Sequence, residues 1–189
     1  MQIEAATVRT VCLIVLGSMF LWLLATALHS TILPFTSYVS GIDWLYLPSG
    51  VRVAILMAGG IWAAIGVTLA SLFVSHGIYG FQTHLTTILI AVAAGFAPYI
   101  SLRVTLALLK IDSNLKLLRS THLPAICVGT AIGSSVLHNA VFCATEVHGC
   151  DLLLLHTSAM ALGDFTGSLA VLLLAQAALT LYRRRTRPP

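Results

Sequence analysis

Apolar runs long enough to cross a bilayer recur along this chain from end to end, which leaves few folds open to it. Clear runs extend from Val8 to Ile32, His84 to Leu109, His122 to Ala144 and Leu152 to Tyr182. In hydrocarbon every backbone N–H and C=O must find its partner within the protein, so each run is expected to be a helix. The mean hydropathy of +0.97 agrees, and 8% charged residues are too few to keep such a surface in water. The expected fold is an all-α integral membrane protein, a single transmembrane domain over residues 1–189 with a basic cytoplasmic tail at 183–189. The first run is too long for a cleaved signal and has no small-residue cleavage site after it, so it reads as a retained helix.

The stretch from Leu47 to Val74 is ambiguous. It opens with Leu-Pro-Ser-Gly-Val-Arg and is interrupted by Gly59-Gly60. One tilted helix there makes five spans and puts the N-terminus outside; two helices meeting at the glycines make six and put it inside. Lys110, Lys116 and Arg119 mark one connection as cytoplasmic, as does the tail from Arg183. The connection from Thr145 to Asp151 holds Glu146 and Asp151 without Lys or Arg, so it faces outward, and the turn from Ser75 to Thr83 joins it there. Four of the ten basic residues lie in the tail, where they serve as a headgroup anchor; nucleic acid is not an expected partner.

Asp164 stands in an otherwise apolar run, as Gly-Asp-Phe-Thr-Gly. A carboxylate at membrane depth faces a partner charge, a protein interior or water. His156, Met160, Asp164 and Ser168 recur every four residues and share one helix face, as do Thr130, Ser134 and His138. Tyr99 and Arg103 form a shorter stripe. The candidate interior or ligand-binding residues are therefore Asp164, His156, His138, Ser134, Arg103 and Arg52. Asp164 is expected near Arg103 or Arg52; a structural ion pair, a ligand cavity and a proton path all remain open. Gly129 with Gly133 and Gly163 with Gly167 have the spacing that lets helices pack closely, and Gly66 with Ala70 extends it.

Cys143, Glu146, His148 and Cys150 lie within one short outer segment. The two cysteines are expected to be a free pair, with a disulfide or a metal site as alternatives. Cys12 and Cys127 read as small core residues. No zinc, haem, phosphate-loop, nucleotide or nucleophile-elbow motif is present, so no enzyme activity, metal or cofactor is expected.

Three passages resemble MASE-type membrane-associated sensor domains. Leu-Pro-Ser-Gly-Val-Arg-Val-Ala-Ile-Leu-Met-Ala-Gly-Gly-Ile-Trp-Ala-Ala-Ile-Gly (47–66) is similar to their Pro-x-Gly opening of an apolar segment. Ser-Ser-Val-Leu-His-Asn-Ala-Val-Phe (134–142) resembles their penultimate segment, and Gly-Asp-Phe-Thr-Gly-Ser-Leu-Ala-Val-Leu-Leu-Leu (163–174) their closing helix. Gly163, Asp164 and Gly167 match position by position, whereas Arg52 inherits no role. The resemblance implies an input domain that controls a kinase or a cyclic-dinucleotide enzyme. This chain is shorter than that pattern and carries no output domain, so a signalling role calls for a separate integral membrane partner besides lipid. The alternatives are a small-molecule uptake component, or an accessory subunit packed on a respiratory or photosynthetic complex.

Overall fold

The computed structural model describes residues 2–77, 84–112, 115 and 117–186, with the side chains of 2–6, 179 and 183–186 left out. Lys116, Arg187, the side chains of Arg183 to Arg185 and most of the turn after Ser75 fall outside the described residues. The helices are α1 (Gln2–Ile32), α2 (Pro48–Gly77), α3 (His84–Leu108), α4 (Leu123–Ala144) and α5 (Leu153–Thr186). All five are long and apolar enough to cross a membrane, as expected of a multi-pass membrane protein. Large apolar side chains such as Phe20, Phe73, Val104 and Leu174 stay exposed on them, and lipid is the solvent that suits such a surface.

Among the described residues the strands lie in the connection between α1 and α2. It carries a two-stranded antiparallel hairpin, β1 (Ser37–Val39) and β2 (Ile42–Asp43), turning at Gly41 with φ 83°. The chain then lies extended on α5, where the Tyr46 N–H donates to the Gly163 carbonyl at 3.1 Å. A Cβ at Gly163 would strike the Asp43 carbonyl oxygen, and one at Gly167 that of Tyr46. This Gly-x-x-x-Gly pair therefore seats an extended segment and not a neighbouring helix. Gly129 and Gly133 do face a helix, against Thr105 and Ser101 of α3, and Gly66 sits on Val15 and Ser18 of α1.

Within α2, Gly60 has φ 57° and ψ −135°, which is not helical. The contacts on either side show that the chain reverses there. The Arg52 guanidinium carbon lies 5.1 Å from the Trp22 ring centroid, and the Trp22 indole N–H donates to Ser71 Oγ at 3.0 Å. A straight helix would hold Arg52 and Ser71 roughly 28 Å apart at 1.5 Å per residue. Residues 48–59 run antiparallel to α1, from Trp22 down to Ile14 beside Gly59, and residues 61–77 return alongside it. The α1–α2 connection consequently lies at the same end of the bundle as the α4–α5 connection. There His148 Nε2 approaches the Ser40 carbonyl at 3.0 Å.

Candidate functional site

Pro48 begins the short first half of α2 with its φ already set for a helix and no N–H to satisfy. Ser49, next along, fastens that half to α5. Its Oγ lies 2.7 Å from the Tyr46 carbonyl and 2.8 Å from the Asp164 carbonyl, and it accepts from Ser168 Oγ at 3.0 Å. Gly50 permits the close approach, since a Cβ there would meet Val171 and the α5 backbone. One helical turn on, Arg52 Nη2 donates to Asp164 Oδ2 at 2.8 Å, with each side chain 3% exposed. The guanidinium also rests over Trp22, so the charge is held by a carboxylate and an aromatic face together.

Beside the pair is a small cavity of about 40 Å³. Trp22, Asp43, Tyr46, Ser75, His138 and Met160 line it together with Arg52 and Asp164. Such a volume has room for a few water molecules. Two buried polar atoms of its wall, Arg52 Nε and His138 Nδ1, have no protein hydrogen-bond partner. Buried polar atoms normally find one, so they point to something small and polar in the cavity.

Asp43 also borders a second space, a cleft of about 290 Å³ walled by Thr26, His29, Ser30, Ser37 and Ser40. The cleft reaches the surface beside exposed Ser37 and Ser40. The Asp43 carboxylate is 3.9 Å from His29 Nε2 and 10% exposed. Burial and then the Asp164 charge push its pKa up to about 6, against a hydrogen bond from Ser37 that lowers it. In the α4–α5 connection, burial holds His148 below the usual imidazole range, with the neighbouring His156 adding to that and the Ser40 carbonyl opposing it.

Of the residues singled out in the sequence, Arg52, Asp164 and His138 meet at the cavity. His156 is buried nearer the connections, against Tyr38 and the His148 ring, whose centroid is 4.9 Å away. Ser134 is fully buried without a hydrogen-bond partner and does not line the cavity. Arg103 is a correction: it is exposed on α3 and takes no part in the Asp164 pair. Its stem is long enough for the guanidinium to reach the interface from a position near the helix end, so a polar residue on the Tyr99 stripe need not face inward. The expected free pair is also corrected, because Cys143 and Cys150 form a disulfide. Cys127 is buried as expected, but Cys12 is exposed on the outer side of α1. Among the described residues no three His, Cys, Asp or Glu side chains are grouped to hold a metal ion.

Trp22, Asp43, Tyr46 and Ser75 were not foreseen. Asp43 did carry a signal, as an acidic residue in a connection without Lys or Arg. No family model, curated protein or solved structure matches the chain.

Proposed function

We propose that this chain is a non-enzymatic, multi-pass protein of a bacterial inner membrane that works as a sensor-like input module through a separate membrane partner. The carrying observation is the buried Arg52–Asp164 pair on α5 with the small cavity beside it. From Asp164 that helix continues to Thr186, roughly 33 Å at 1.5 Å per residue, a rigid element that can carry a change at the cavity to the opposite face. The resemblance of 47–66, 134–142 and 163–174 to MASE-type sensor domains agrees with it.

The orientation follows from charge and redox chemistry. One end of the bundle holds the Cys143–Cys150 disulfide, Asp43, Glu146 and Asp151, with no Lys or Arg in 33–47 or 145–151. That is the outer face, since disulfides persist in oxidising compartments and Lys and Arg favour the cytoplasmic side. The other end holds Arg9, Lys110, Arg119 and the start of the tail, and so faces the cytoplasm. With the chain reversing at Gly60, the N-terminal end of α1 is cytoplasmic too.

The test is cross-linking and native mass spectrometry from intact membranes. A stoichiometric membrane partner whose output changes when Asp164→Asn is introduced is expected. A chain isolated alone would rule the reading out.

A further inference from the structure

We propose that the cavity is a proton-binding site open to the outer face, with Asp43 as the carboxylate that takes up the proton. This rests on the sensor reading and names its ligand class. The geometry begins with the position of Asp43, the one residue common to the linings of the surface cleft and the cavity, with its carboxylate 3.9 Å from His29 Nε2 of the cleft.

Charge balance gives the second step. The groups around Asp43 are His29 of α1, Ser37 of β1, Arg52 of α2, His138 of α4 and Asp164 of α5; α3 contributes only Ile90 and Ala94 to the cavity. Arg52 is the one permanent cation among them, and its Nη2 is already committed to Asp164. Two carboxylates and one guanidinium leave a negative charge in a poorly hydrated place. Either a proton or a metal cation would cancel it.

The unpartnered atoms decide between them. Arg52 Nε is a donor that repels cations, and a single imidazole nitrogen of His138 adds no oxygen ligand. Water suits both, and the cavity holds about three molecules at roughly 10–15 Å³ each. Water there would link Asp43 to the Arg52–Asp164 pair. In the step itself a hydronium ion in the cleft gives its proton to the Asp43 carboxylate, leaving water and a neutral carboxylic acid. The neutral acid no longer repels Asp164, which removes a charge repulsion between β2 and the α5 on which it already lies. The raised pKa of Asp43, about 6, lies where outer pH varies.

The test is infrared difference spectroscopy on the full chain in lipid nanodiscs, with aspartate labelled by carbon-13 at the carboxyl. Lowering the pH from about 8 to about 5 should bring up one isotope-shifted carboxylic-acid band with its midpoint about 6, absent in Asp43→Asn. If Asp43→Asn does not fold, Asp43→Glu replaces it: the band should persist and lose its isotope shift. A band surviving in Asp43→Asn, an isotope shift surviving in Asp43→Glu, or no band at all would overturn the proposal. So would a midpoint that moves with an about tenfold change in sodium at constant ionic strength, because a metal cation would then be the ligand. The measurement needs no partner, so its failure leaves the sensor reading standing, and a missing partner leaves the proton site standing.

Discussion

Arg52 and Asp164 are each 3% exposed and share a 2.8 Å hydrogen bond, which makes each the other's means of staying charged out of water. Removing one partner strands the other, a loss of about 3–5 kcal/mol for a buried pair, whereas replacing both with apolar residues of similar volume is often neutral. Arg52→Met alone and Asp164→Leu alone should each sharply lower the yield of monodisperse protein and its melting temperature in detergent. The double variant should recover much of both. Asp43 gives a second expectation with a definite sign. Its folded pKa, about 6, lies above the ordinary 3.8, so its contribution to stability is fully present below 3.8 and is lost as pH rises through 6. The gap corresponds to at most roughly 3 kcal/mol at about 1.36 kcal/mol per pH unit. Asp43→Asn should therefore flatten the pH dependence of the melting temperature and stabilise the protein above pH 6, read by thermal scans at matched ionic strength.

At the scale of elements, the helices were legible because twenty apolar residues in a bilayer have few alternatives to a helix. The shape of α2 was not, since a single bent span and a hairpin across Gly59-Gly60 have the same hydropathy. The non-helical Gly60 and the shared contact of Arg52 and Ser71 with Trp22 distinguish them. The Asp164 cavity was half legible: four-residue spacing brought out His138 and Asp164, while Asp43 and Tyr46 come from an irregular connection that periodicity does not describe. Gly163 and Gly167 carried the right signal, close backbone approach, with a different partner from the one their spacing suggests. Glycine is needed at Gly60 for another reason: φ 57° with ψ −135° is a region that side chains resist at a cost of order 1–3 kcal/mol. Gly60→Ala should lower the melting temperature though open space surrounds it. Gly167→Ala should do so by overpacking against Tyr46, for roughly 1–3 kcal/mol. If Gly60→Ala were silent, the reversal would have to be sought elsewhere in α2.

For the whole molecule, the reversal in α2 decides which ends of which helices share a side of the membrane. A single span over 48–77 would place the α1–α2 connection opposite the α4–α5 connection, with the start of α1 outside. The folded-back α2 places both connections together, and Asp43, Glu146, Asp151, the disulfide and the absence of Lys and Arg from 33–47 and 145–151 then fall on one face. These signals are independent: the positive-inside rule concerns Lys and Arg, the disulfide reports the redox compartment, and the His148–Ser40 contact is geometry. Single cysteines introduced by Thr7→Cys, Ser40→Cys and Ser120→Cys, in a background where Cys12 and Cys127 are alanine, give a direct check in intact cells and inverted vesicles. Ser40→Cys should react with a membrane-impermeant reagent in intact cells, and the Thr7 and Ser120 positions only in inverted vesicles. Labelling Ser40 and Ser120 from the same side would break the six-segment arrangement. It would also close the outer route to Asp43, because the cleft would then open to the cytoplasm.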